Sequence, residues 1–214
     1  MKLIAINGSP RKNWNTDTLL KELIKGAEEN NAETELIYLN DLNYKGCISC
    51  MGCKLKNGKN IGRCNLKDDL TDVLDKIHEA DALVIGSPIY WYDVTGMTRN
   101  FIERLLFQYL NYDEFSKPLS TPKKTAMIYA MNAPEEIHKE QKLDDIVFNK
   151  YETLMKQYFK ECTTLYATQT LFVKDYTKYH LAGFDAEMIQ EIHETVFPEI
   201  CKQAYELGKK LTTE

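Results

Sequence analysis

KLIAINGSPRKNWNTDTLL occupies residues 2–20, and its reading decides the fold. Residues 2–7 are a short apolar run closed by Gly8, the pattern of a buried strand. Leu19, Leu20, Leu23, Ile24 and Ala27 then recur at helical spacing, which predicts a helix over 16–30. Between them lies a polar loop that leaves the end of a strand and enters the start of a helix. In an open α/β sheet, ligands bind outside the carboxyl ends of the strands. A helix start there offers free backbone N–H groups and positive dipole potential to an anion. Ser9, Asn15, Thr16 and Thr18 add hydroxyl or amide donors, and Arg11 adds charge. The loop has neither the G-x-G-x-x-G dinucleotide pattern nor the Walker-A lysine. Hydroxyl-rich donors suit a terminal phosphomonoester, although every such helix also needs polar caps, and these residues serve that purpose too.

The same strand–helix alternation continues. Strands are expected at 33–40, 81–86, 124–131 and 164–172, and helices at 68–79, around Met97–Tyr109 and around Val147–Phe159. A final helical stretch with Ile189, Ile192, Val196, Ile200, Ala204 and Leu211 on one stripe should be kinked or split by Pro198. Five strands alternating with five helices imply an α/β doubly wound parallel sheet covered on both faces. With no linker, repeat or composition break, residues 1–214 read as a single domain with a cysteine-rich loop at 43–66. The segments 110–122 and 173–184 are loops long enough to be functional.

Composition narrows the function classes. Of 214 residues, 43% are hydrophobic and 28% charged, with a net charge of −5. An acidic balance argues against nucleic acid, whose phosphates call for a basic surface. No apolar run approaches the roughly 18 residues of a membrane span, and the N-terminus is too short for a signal peptide. The expected location is the cytoplasm. Structural disulfides are rare there, so six cysteines point to metal, redox chemistry or burial.

Two further motifs carry chemistry. SPIYWYD, residues 87–93, places Tyr90, Trp91 and Tyr92 in a row behind Pro88 and Ile89. Successive side chains of an extended chain alternate, so at least one faces a ligand or a partner subunit. CISCMGC, residues 47–53, spaces Cys47, Cys50 and Cys53 as ferredoxin-type runs do. Cys64 is a candidate fourth ligand, because the intervening chain spans up to about 36 Å. A triplet and a single with no nearby histidine speak against zinc. A redox C-x-x-C pair and plain reduced thiols stay open beside a [4Fe–4S] cluster. Lys54, Lys56, Lys59, Arg63 and Lys67 make the loop locally basic, fit for an acidic partner, for the 2′-phosphate of NADPH, or simply for solvent. Cys162 and Cys201 read as small core residues on helix stripes, and His78, His138, His180 and His193 as solvated. No nucleophile–base pair stands out.

GSPRKNWNTDTLL resembles the phosphate-loop signature of the NADPH-dependent FMN reductase group of flavodoxin-like proteins. ADALVIGSPIYW resembles that group's third strand and flavin loop, and CISCMGC with GRCNLKDDL the cysteine segment of its iron–sulfur flavoprotein branch. VKDYTKYH and KQAYELGKKL are also similar to segments of the group. Trp14 stands where the pattern usually has Gly. The resemblance implies sheet order 2-1-3-4-5 with FMN in the crevice between the first and third strands. Ser9, Arg11, Asn15 and Thr16 would hold the phosphate. Pro88, Ile89, Tyr90 and Trp91 would line the isoalloxazine, and Met131, Asn132 and Ala133 would approach its pyrimidine edge. It further implies NAD(P)H as electron donor, a quinone, flavin, nitro or azo acceptor, and a homodimer or homotetramer. Two other readings are an electron carrier joining FMN, a [4Fe–4S] cluster and a ferredoxin-like partner, and a non-catalytic redox- or metal-sensing module.

Overall fold

The computed structural model describes residues 1–56, 58 and 60–213. Lys59 of the basic loop lies outside them. Five parallel strands form the sheet: β1 (Lys2–Asn7), β2 (Glu33–Tyr38), β3 (Ala82–Tyr90), β5 (Lys124–Ala130) and β6 (Glu161–Ala167). Their order is β2-β1-β3-β5-β6, with a two-residue β4 (Asp93–Val94) antiparallel to the end of β3. Leaving β4 aside, this is the expected order 2-1-3-4-5.

Alternation along the strands assigns the two faces. Leu3 and Ala5 of β1 look toward α1 (Asn15–Glu29) and α7 (Phe197–Thr212), together with Val84, Ala126 and Ile128. Ile4 and Ile6 look the other way, with Leu83, Ile85 and Met127, toward α2 (Leu70–Glu79), α3 (Gly96–Tyr109) and α5 (Asn149–Tyr158). The α1–α7 face is lined by small residues, and the two helices cross with their backbones touching. A Cβ on Gly26 would lie 1.9 Å from the Tyr205 carbonyl oxygen, and one on Gly208 would lie 1.9 Å from that of Leu23. No other residue permits this approach. Asn30 Nδ2 fastens the far end of the pair by donating to the Lys209 carbonyl at 2.8 Å.

Several expectations are corrected. β6 starts three residues before and ends five residues before the expected 164–172, so Cys162 is a buried strand residue and not a helical one. The strand predicted at 81–86 continues as β3 to Tyr90, because its last residues pair with β5 up to Pro88–Ala130 and then turn back on β4. Val147 falls in a π-helical turn, Asp144–Phe148, that leads into α5 and follows the short α4 (Glu135–Glu140). Pro198 sits in the first turn of α7, where its missing N–H costs nothing, and the helix is split there from α6 (Ala186–Thr195). His138 is fully buried, its ring edge-on to Phe148 and Tyr166 at 5.2 and 4.9 Å. No described helix is long and apolar enough to cross a membrane.

Candidate functional site: a cleft at the strand ends and a cysteine-lined cavity beside it

The loop after β1 is held by its own polar residues. Asp17, fully buried, accepts from Asn7 Nδ2 at 2.9 Å and from the Asn13 backbone N–H at 2.7 Å, and it pairs with Lys21 at 2.8 Å. Asn7 Oδ1 in turn accepts from the Ser9 N–H at 2.8 Å. Burial works to raise the Asp17 carboxyl, but Lys21 and the Asn13 N–H outweigh it and hold the group below its ordinary value. On the other side the Gly8 N–H donates to the Gly86 carbonyl, and Thr95 Oγ1 donates to the Gly8 carbonyl, both at 2.8 Å. A Cβ at Gly8 would strike Thr98 Oγ1 at 1.8 Å.

Above this loop lies a narrow cleft of about 130 Å³ that opens to solvent. The structure brings Ser9, Arg11, Asn15 and Thr16 together there with Pro88, Ile89, Tyr90, Met131 and Asn132. It does not bring Thr18, which lines a groove between α1 and α7. Ala133 is also outside, its carbonyl accepting from the Gln169 N–H. Trp91 is outside too: it is 95% exposed at the tip of the β3–β4 hairpin, where it and Tyr92 adopt φ of +50° and +61°.

Sequence reasoning noted Trp14 without placing it and missed Thr170, Leu171 and Phe172; these complete the cleft wall with Ala130. The segment after β6 folds over the loop after β1. Asn15 Nδ2 and Trp14 Nε1 both donate to the Leu171 carbonyl, at 2.9 and 3.0 Å. Arg11 donates to the Phe172 carbonyl at 2.7 Å and stacks on the Trp14 ring at 4.1 Å. Trp14 thus brings its ring into the cleft wall. The side-chain donors of Arg11 and Asn15 serve backbone carbonyls in this arrangement. What faces the cleft uncommitted is the start of α1, which carries no side-chain cap.

The second feature is a small cavity of about 20 Å³ between the cysteine loop and α3. Cys47, Cys50, Cys53 and Cys64 all line it, with Ile48, Met51, Leu66 and Phe107 as an apolar shell. Among the described residues no three potential ligands already converge on one metal position. Ser49 and Met51 adopt φ of +55° and +58°, so the loop curls tightly between its cysteines. From α3, Arg104 Nε donates to Cys64 Sγ at 3.1 Å, and Gln108 Oε1 accepts from the Cys64 N–H at 2.8 Å. Lys54 Nζ donates to the carbonyls of Gln108 and Leu110 at 2.9 and 2.6 Å, capping the end of that helix. Arg63 pairs with Asp75 at 2.7 Å. Two of the basic loop residues are therefore engaged internally. Burial pushes the Cys53 thiol up, against the pull of Lys54. Burial also opposes the Arg104 charge, but Asp68 and Cys64 more than compensate.

Residues 1–135 match the family described as NADPH-dependent FMN reductase, well over half of the chain. The chain belongs to that family. Among its relatives is an iron–sulfur flavoprotein of Archaeoglobus fulgidus, 46% identical over 104 residues, which are 49% of this chain and 48% of that protein. An iron–sulfur flavoprotein of Methanocaldococcus jannaschii is 38% identical over 104 residues, 49% of this chain and 51% of that one. The chain spans about half the length of the curated relatives it matches. The solved NAD(P)H:quinone oxidoreductase from Methanothermobacter marburgensis superposes with a TM-score of 0.73 at 15% identity, over 99% of this chain and 98% of that one. An archaeal flavodoxin shares the fold at a TM-score of 0.52 and 13% identity, over 99% of this chain and 96% of that one. At these identities the likeness is one of fold, and the fold is flavodoxin-like.

The residues present fit the groups that the FMN reductase family implies. The uncapped start of α1 suits the phosphate of FMN, and the Pro88–Tyr90 wall suits a flat ring with a polar rim. The cysteine cavity offers the donor set of a cluster, four thiols, which would have to draw together around a guest larger than the present space. Gln108 Nε2 is buried with no hydrogen-bond partner among the described residues.

Proposed function

We propose that this protein is an FMN-dependent oxidoreductase that takes electrons from NAD(P)H and passes them to a small acceptor such as a quinone, a flavin, a nitro or an azo compound. The observation that carries the reading is the cleft, where the uncapped start of α1 meets the Pro88–Tyr90 wall at the carboxyl ends of the strands. When bound, FMN supplies the electron-transfer chemistry. The chain's own part is to bind and orient. The α1 backbone N–H groups, Ser9 and Thr16 would hold the phosphate, and Arg11 would add positive potential beside it. Ile89 and Tyr90 would press on one side of the ring, with Met131 and Asn132 near its polar edge. The exposed Trp91 hairpin supports the accompanying expectation of a homodimer or homotetramer. All six cysteines are free, which supports a reducing, cytoplasmic setting.

A second reading is favoured by the cysteine cavity: an iron–sulfur flavoprotein in which Cys47, Cys50, Cys53 and Cys64 hold a [4Fe–4S] cluster and relay single electrons to a ferredoxin-like partner. Similarity to proteins bearing that name supports it. Anaerobic purification with a visible spectrum, and with FMN, iron and acid-labile sulfide quantified, tests both. Bound FMN without iron supports the first reading alone. FMN with a broad iron–sulfur shoulder supports the second, and Cys50→Ser should then remove the shoulder and leave the FMN. A colourless protein that takes up no FMN overturns both.

A further inference from the structure

Arg104 and Gln108 lie four residues apart on α3, so they share one face of the helix, and both line the cysteine cavity. Their side chains are 1% and 2% exposed. A helix that merely packed against this loop would present apolar residues there, as Phe107 does. Arg104 instead uses its whole guanidinium. Nη1 donates to Asp68 Oδ2 at 2.8 Å and to the Lys45 carbonyl at 2.9 Å. Nη2 donates to Asp68 Oδ1 at 3.2 Å and to the Leu66 carbonyl at 3.3 Å. Only Nε is left, and it points at Cys64 Sγ. Asp68 balances the charge, so the sulfur meets a directed N–H dipole and not a bare cation. Gln108 spends its oxygen on the Cys64 N–H, and its Nε2 is buried with no acceptor among the described residues. Both donors act in an apolar shell, where electrostatic effects are strong.

We propose that Arg104 and Gln108 are positioning residues that single out the Cys64 corner of the cavity, donating N–H bonds to sulfur there and raising the reduction potential of the cluster it holds. The inference rests on the iron–sulfur reading. One-electron reduction adds negative charge to the cluster and breaks no bond. Hydrogen-bond donors at sulfur stabilise that added charge, and hydrogen bonding is one of the levers that set cluster potentials. Arg104 orients Cys64 from the side opposite the loop, and Gln108 Nε2 offers its hydrogen to a sulfur inside the cavity.

The test uses the full chain, purified anaerobically with FMN, in wild-type, Gln108→Leu, Gln108→Glu and Arg104→Lys forms. Iron and sulfide are counted, and the midpoint potentials of cluster and flavin are read by electrochemical titration against the visible and paramagnetic-resonance spectra. Gln108→Glu keeps an acceptor for the Cys64 N–H, which guards against loss of the loop, but replaces the donor with a negative charge; Gln108→Leu removes the donor without adding charge, so the inference is read from both together. With iron retained, each variant should lower the cluster potential by about 59 mV or more, a tenfold change in the one-electron equilibrium, and leave the flavin potential unmoved. An unshifted potential in an iron-loaded Gln108 variant overturns the inference. Loss of iron from both Gln108 variants, with FMN still bound, assigns a merely structural anchor and also overturns it. A wild-type protein without iron or sulfide removes the iron–sulfur reading itself, a result distinct from the other two.

Discussion

The loop after β1 and the cysteine loop flank the same end of the sheet, yet they are organised in opposite ways. The first is finished before any ligand arrives. Asn7, Asp17 and Ser9 close a ring of hydrogen bonds inside it, and Leu171 and Phe172 accept its outward side-chain donors. The second is held from outside, by Arg104, Gln108 and Lys54, while its four thiols share a cavity without converging. A loop that must present backbone N–H groups to a phosphate gains from rigidity. One that must wrap sulfur can leave its last arrangement to the guest.

This contrast can be broken at three points. The largest effect is expected for Arg104→Leu, which takes from the largely buried Asp68 its ionic partner. Removing one partner of a buried pair typically costs about 3–5 kcal/mol, so urea unfolding should show a loss of that order. If the variant is as stable as the wild type, the cysteine loop does not depend on α3. Next comes Asp17→Asn, which weakens hydrogen bonds to a charged group and should cost about 1–3 kcal/mol, with weaker FMN binding by fluorescence titration. The pH dependence has a definite sign. The folded carboxyl sits below its ordinary value of 3.8, so its contribution is complete above that value and is lost as pH falls through the lower one. The stability gap between wild type and variant should therefore shrink between about pH 5 and about pH 2. A gap that stays constant removes Asp17 as the loop's ionic anchor. The smallest effect is expected for Trp91→Gly. Relief of a left-handed backbone angle roughly offsets the added chain freedom, so stability should move by no more than about 0.5 kcal/mol, with FMN affinity unchanged. A tenfold loss of affinity would return Trp91 to the ring.

The sheet was legible because every central strand is an apolar run closed by a polar or glycine stop, and the helices between them keep a clean 3.6 period. β6 was misplaced because ECTTLYA carries two threonines and a glutamate, and its register is set by pairing with β5 rather than by its own pattern. The phosphate loop was legible as local chemistry. Leu171 and Phe172 were not, since a backbone carbonyl has no sequence signature and reaches the cleft only through the sheet. Pro88, Ile89, Tyr90 and Trp91 were read as a ring wall, but a two-residue turn sends Trp91 away from it. Arg104 and Gln108 were not singled out in the sequence. One sign was available: α3 mixes polar and apolar residues around its circumference, with Arg104 beside Leu105 and Gln108 beside Tyr109, as a helix covered on several sides would.

The close approach of α1 and α7 at Gly26 and Gly208 has a consequence for biosynthesis. α1 is made well before α7, and the segment that closes over the β1 loop also lies beyond residue 167. Contacts so distant along the chain form late, because loop closure must precede them. A chain grown only as far as β5 would have the phosphate-facing turn but neither the helix that braces it nor the flap that covers it. Closure of the cleft thus waits on residues beyond 167.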